Sequence, residues 1–304
     1  MNPQALIDGL ISGSTIGLGA IGLTLAYSIL RFANFTHGDF LAWGAYLTLS
    51  VMGFLGGILA GLGAPLKPFS FGLGLPVATL LGAALTICLA LGLDKLLFGR
   101  LRARKADAII IVMASFGASM ALRSFLEFIY TAQPAYYSNA LQIARPIGFG
   151  MRATPDQMLV IGITLALVVA LHLMVTRSAT GRAMRAVAES PSLAAVYGID
   201  VAKIIRLTWV IGAGLAAIAG VMAGLLVQIR PYMGFDLLLP LFAAAILGGI
   251  GSIPGAMIGG LIIGISEAFA VQVIGAEWRA AVSFVILVLV LLIRPAGIFG
   301  RASA

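Results

Sequence analysis

Residues 157–176 read QMLVIGITLALVVALHLMVT, with no charged side chain, and the run stops at Arg177. A helix needs about 20 apolar residues to cross the hydrocarbon core of a bilayer, so this stretch reads as a membrane span. Similar runs lie near 9–30, 40–61, 73–93, 108–128, 207–228, 237–250, 254–274 and 279–293. The chain of 304 residues is 61% hydrophobic and only 10% charged, where a soluble domain carries about 25% charged residues. Too few charges remain to build a water-facing surface, so lipid is the solvent for most of the chain. The expected fold is all-α: a polytopic transmembrane helix bundle of 8–9 spans, forming a single domain over 1–304. The 38 glycines suit close approach of helices in lipid. The run 237–250 is short. It is either a tilted span or the first half of a helix that continues through 254–274 and is broken at the glycine-rich stretch 248–255.

Charge sets an orientation, because cytoplasmic loops collect Lys and Arg. One basic loop holds Lys95, Arg100, Arg102, Arg104 and Lys105; another holds Arg177, Arg182, Arg185, Lys203 and Arg206. Two spans separate them, so both fall on one side, taken as the cytoplasm. With nine spans, that side also receives Arg31, Arg294 and Arg301, giving 13 basic residues against 5 opposite. The N-terminus is then external and the C-terminus cytoplasmic. Met1 to Asp8 lacks Lys and Arg, and no small-residue cleavage site follows, so the first apolar run is expected to be a retained span. The net charge of +8 is thus explained by topology, and short basic loops without interleaved aromatics argue against nucleic acid. The lone Cys88 excludes an internal disulfide. With only two histidines far apart, no metal or other cofactor is expected.

The segment 177–206 carries the most local information. Residues 181–189 have helix-forming composition and are expected to continue from the preceding span. Ser190 then supplies an N-cap, and Pro191 sits at a first helical position, where its missing N–H costs nothing. Gly198 supplies the stop, since it takes positive φ freely. The resulting short helix carries Leu193, Val196 and Tyr197 at helical spacing. Two readings stay open: a loop that packs this apolar face against the ends of the spans, and a coupling helix that sits in a groove on a cytoplasmic motor subunit.

At this point the sequence resembles a known family. The stretch 181–199, GRAMRAVAESPSLAAVYGI, is similar to the coupling loop of branched-chain amino acid ABC importer permeases. AIGLTLAYSILRFANFTHGD at 20–39 and ILGGIGSIPGAMIGG at 246–260 are similar to that family's N-terminal and glycine-rich C-terminal signatures, in the same order. The likeness is to the shorter, H-type permease. The family signature usually carries Ala where Thr36 stands here. The resemblance implies an importer in the bacterial cytoplasmic (inner) membrane, built from a heterodimer of permeases, two cytoplasmic ATPase subunits and an external solute-binding protein. It assigns ATPase coupling to Gly181, Arg182, Arg185, Glu189, Ser190, Pro191, Leu193, Val196, Tyr197 and Gly198. Independently, the chain contains no Gly-Lys dipeptide, so it has no Walker A loop and no ATP site of that kind. It is expected to be a transport subunit and no enzyme. Branched-chain or related amino acids are the implied cargo, with urea or short amides as alternatives.

Polar residues inside lipid are costly and call for an account one by one. Asn34, Thr36, His37, Gly38 and Asp39 read as a helix break. They either line the pathway or form a hydrogen-bonded turn, the turn being the simpler account of His37. Arg123 and Glu127, four apart, are expected to pair on one helix. Glu267 has no local partner; it takes a structural hydrogen bond or faces the pathway. The glycine run 248–260, with its small-xxx-small pattern at 255–259, is expected to serve close helix packing; the alternative is that Gly251 and Ser252 break a helix and expose backbone to that pathway. Gln228, Arg230 and Asp236 mark an outer end. A rival reading is an ion-coupled secondary transporter, for which Glu267 is the available titratable group. A membrane enzyme would need clustered nucleophiles, bases or metal ligands, and none is evident.

Overall fold

The computed structural model describes residues 3–58, 65–138, 140, 142–148, 150–294 and 296–300. Arg301 and the end expected for the second span, 59–61, lie outside the described residues. The chain opens with α1 (Pro3–Leu30), α2 (Thr36–Ile58) and α3 (Gly74–Leu93), and α3 runs on through a π turn at Asp94–Phe98 into α4 (Gly99–Ala103). Next come α5 (Ala108–Tyr130), an antiparallel hairpin of β1 (Arg145–Gly148) and β2 (Met151–Ala153), and α6 (Pro155–Arg177). Two short helices, α7 (Ala179–Glu189) and α8 (Pro191–Val196), precede α9 (Val201–Leu226). The last three are α10 (Met233–Gly248), α11 (Ile253–Ile274) and α12 (Arg279–Ile293).

Local chemistry starts several of these helices. Thr154 and Gln157 form a reciprocal capping box before α6, with Pro155 at the first position. Asp200 accepts from the Lys203 amide at 2.9 Å to start α9, and Ser252 accepts from Gly255 at 3.1 Å to start α11. The expected continuation of α6 into 181–189 does not occur. Ser178 is extended (φ −86°, ψ 159°) and its hydroxyl accepts from the Gly181 amide, so α7 begins as a separate helix.

Among the described residues, eight helices, counting α3–α4 as one, are long and apolar enough to cross a membrane. With 16 residues α10 is shorter, about 24 Å at 1.5 Å per residue. It still carries the chain from one face to the other. Ile229, just before it, pairs with Ala135 beyond the end of α5. Gly251, just after it, donates to Thr24 Oγ1 within the last two turns of α1. Among the described residues, nine helices therefore run between the two faces. Its first helix meets the β hairpin, where Gln4 donates to the Arg152 carbonyl at 3.0 Å. The last described residues return to the opposite end, where the Ile298 amide donates to Leu247 O at 2.8 Å. These ends are called below the hairpin face and the loop face.

Of the two readings of 237–274, the separate span stands. Helices α10 and α11 are not two halves of one broken helix. They form an antiparallel pair, with Gly255 against Gly248 and Gly259 against Ala244. The reversal uses positive φ at Gly249 (95°) and Gly251 (86°). The innermost helix is α1, which lies along α11 and also meets α9 and α10. A Cβ on Gly13 would stand 2.8 Å from the Leu261 Cα, so no side chain fits between these backbones. At the other extreme, α12 turns Leu292 and Ile293 outward, as a helix bordering lipid or a neighbouring subunit does.

Candidate functional site

The loop face is organised by α7 and α8. Gly181 lets α7 fold tightly back on the end of α6, since a Cβ there would collide with the Val175 carbonyl. Arg185 donates to that same carbonyl. Met184, Val187 and Ala194 turn inward and join Leu25, Ile29 and Ile204 in a small apolar cluster. Arg31, at the end of α1, donates to the carbonyls of Ala188 and Glu189 at 3.0 and 2.8 Å. It places a cation on the C-terminus of α7, the end of a helix that attracts positive charge. Sequence reasoning had put Arg31 at this face without seeing that clamp. The signal for it was a lone cation directly after the first span.

The helix expected from Ser190, Pro191 and Gly198 forms as α8. Ser190 Oγ accepts from the Leu193 amide at 3.3 Å, and Gly198 takes φ +80°. Leu193, Val196 and Tyr197 do not pack against the ends of the spans. Ala194 packs inward, while Leu193, Val196 and Tyr197 are 60%, 83% and 84% exposed. Arg182 and Glu189 of α7 are also exposed. Three large apolar side chains on a short helix held at both ends form a patch of the kind that marks an interaction site.

The break at 31–35 is a tied turn. Asn34 Oδ1 accepts from the Thr36 amide at 3.2 Å and from Thr36 Oγ1 at 2.6 Å, starting α2. His37 Nε2 lies 2.9 Å from the Gly19 carbonyl and bonds it, joining α2 to α1. All three residues are buried, and the Asn34 Nδ2 makes no hydrogen bond. Gly251 and Ser252 form the α10–α11 turn at the loop face rather than an unwound segment in mid-span: one is tied to Thr24, the other caps α11.

Arg123 does not pair with Glu127. Its guanidinium lies 3.5 Å from Asp39 of α2. Ser119 bridges the two, donating to Asp39 and accepting from Arg123 Nη2 at 3.2 Å. The Phe235 ring of α10 stacks on the guanidinium at 4.2 Å, a cation–π contact. This cluster joins α2, α5 and α10, and the two charges are far apart in sequence. Its signal was indirect: a buried Asp in lipid needs a cation, and Arg123 is the one within a span.

Glu267 takes the structural hydrogen bond, on the next helix. It is 3% exposed and accepts from Ser283 Oγ of α12 at 2.5 Å, with Arg279 Nε at 3.9 Å. It also lines a cavity of about 380 Å³ at the hairpin face, between α1, α10, α11 and α12. Arg230 and Asp236, 3.4 Å apart, stand at its rim. Asn34, Thr36, His37, Gly251 and Ser252 do not line this cavity. On the same face, Ser70 and Gln142 donate to Asp156 in the first turn of α6, tying the long loops down.

Nine described helices running between two faces, most of them long and apolar enough to cross a bilayer, define a polytopic α-helical membrane protein. The family described as "Branched-chain amino acid transport system / permease component" matches residues 5–291, and the chain belongs to it. The high-affinity branched-chain amino acid transport system permease protein LivH of Escherichia coli (strain K12) is 35% identical over 304 residues, covering 98% of this chain and 95% of that one. The BraD protein of Pseudomonas aeruginosa, named for the same kind of system, is 35% identical over 309 residues, with the same coverage. The probable LivH of Methanocaldococcus jannaschii is 28% identical over 313 residues, covering 99% and 93%. Among solved structures, PsaBC from Streptococcus pneumoniae in complex with Fab covers 98% of this chain and 93% of its own at a TM-score of 0.47 and 16% identity, too low to establish a shared fold.

Proposed function

We propose that this chain is a membrane subunit of an ATP-driven importer for branched-chain or related amino acids, acting as a single transmembrane unit that supplies half of the translocation pathway. The observation that carries the motor-driven part is the exposed apolar side of α8 on a family permease. Leu193, Val196 and Tyr197 would seat in a groove of a cytoplasmic ATPase subunit, with Arg182, Arg185 and Glu189 flanking it. Movement of that subunit would push α8. The small cluster beneath α8, which includes residues of α1 and α9, would pass the push to the bundle. The loop face is assigned to the cytoplasm because the basic residues gather there, which places the hairpin face outside, toward a solute-binding protein. A second, homologous permease completes the pathway.

Purification of the complex from its native membrane tests this. ATPase subunits should co-purify with the native chain and be lost, at least tenfold, from the triple variant Leu193→Glu, Val196→Glu, Tyr197→Glu. Full solute uptake by a preparation without any ATPase would favour the ion-coupled rival instead.

A further inference from the structure

The cavity beside Glu267 carries more than a structural hydrogen bond needs. We infer that it is an entry site for the zwitterionic head of an amino acid with an apolar side chain, an inference that rests on the importer reading above. Arg230 and Arg279 receive the carboxylate; Asp236 and Glu267 receive the ammonium.

Charge is the first argument. Five ionisable side chains line one cavity in a chain with 10% charged residues, and four of them are paired. They form two loose pairs, Arg230–Asp236 at 3.4 Å and Arg279–Glu267 at 3.9 Å. Charge-assisted hydrogen bonds between such groups close to about 2.7–2.9 Å, so both pairs stop short of their best geometry. A guest carrying one charge of each sign would find partners of both signs on the same lining. No net charge enters the membrane protein when it binds there. Glu277 adds a third carboxylate to the lining. The excess negative charge disfavours a guest with an acidic side chain.

Shape is the second argument. The rest of the lining is mainly apolar, with Ile16, Leu226, Met233, Leu237 and Pro240, and with Ser12 and Thr15 as polar exceptions on α1. Such walls accept an aliphatic side chain and penalise one whose charge must lose its water. The volume of about 380 Å³ lies in the range of small-ligand sites, about 300–1,000 Å³. Position is the third argument. Glu267 lies seven residues before the end of α11, about 10 Å into the bundle from the hairpin face. An arriving solute would meet it before any narrower part of the pathway.

The test uses the whole complex in proteoliposomes, with binding protein and radiolabelled leucine as the probe. Glu267→Gln and Asp236→Asn should each lower the leucine uptake rate at least tenfold, with the ATPase subunits and second permease still co-purifying. Ser283→Ala removes only the hydrogen bond that steadies Glu267 and should change uptake less than twofold. If the carboxylate were merely structural, Ser283→Ala and Glu267→Gln would do equal damage, and the inference falls. Ala280→Trp, at an exposed position on the lining, should block uptake without disturbing assembly. If it expels the second permease, the cavity is a subunit interface and the inference is overturned. Uptake within twofold of native in Glu267→Gln and Asp236→Asn also overturns it, while leaving the importer reading intact. Absence of ATPase subunits from the native complex would overturn both.

Discussion

Arg123 has a carboxylate one helical turn away and bonds elsewhere. Glu127 sits near the C-terminal end of α5, where the helix dipole disfavours negative charge, and it is partly exposed. Asp39 is buried in the first turn of α2, where an unpaired charge would be far more costly. The pairing goes to the residue that needs it most. Arg123→Ala should therefore destabilise the protein by about 3–5 kcal/mol, the cost of leaving one partner of a buried pair behind. Glu127→Ala should cost less than about 0.5 kcal/mol, as for a surface change. Thermal unfolding of the purified protein in detergent measures both, and equal losses would return the pair to Glu127. Sequence spacing suggested the local pair because i, i+4 contacts are visible along a chain. A contact between Asp39 and Arg123 depends on how α2 lies on α5, which no spacing rule contains. The same limit applied to Glu267. Its isolation in an apolar run was legible, whereas Ser283, on the next helix, was not.

At the scale of elements, what was legible was what is local. Ser190, Pro191 and Gly198 announce a short helix because cap, start and stop are properties of adjacent residues. The break before α7 was missed although it has the same kind of signal, Ser178 three residues before the Gly181 amide it caps. Helix-forming composition on both sides hid it. The caps of α8 give a further expectation. Ser190→Ala costs about 1 kcal/mol of helix stability, and Gly198→Ala, at φ +80°, about 1 kcal/mol more by forcing a Cβ into the left-handed region. The double variant should bind ATPase subunits at least fivefold more weakly in a pull-down. Its thermal midpoint should shift by less than that of Arg123→Ala, because α8 contributes little to the bundle core. Unchanged binding would mean that the shape of α8 does not matter to the partner.

For the whole molecule, the order of passes decides which surfaces meet which solvent. Apolar runs predict eight or nine passes and basic loops predict their polarity; among the described residues α10 runs between the two faces despite its length. Cysteine labelling checks this in cells, with Cys88 replaced by Ala. Val227→Cys and Ile250→Cys flank α10, and both positions are exposed. A membrane-impermeant maleimide should label position 227 in intact cells and position 250 only after permeabilisation. Labelling of both from one side would remove α10 from the passes; the opposite pattern would invert the protein.

By itself the sequence determined that lipid is the solvent, that the chain is helical, and where one loop helix begins and ends. These follow from composition, run length and neighbouring residues, and need no knowledge of what packs on what. Only the tertiary structure decided that Arg123 answers Asp39, that α10 and α11 fold back on each other, and that Glu267 shares a cavity with Arg230, Asp236 and Arg279. Those arrangements depend on helix-to-helix distances set by small residues such as Gly13 and Gly260. A single chain pattern records which residues are small, but not which partner their smallness admits.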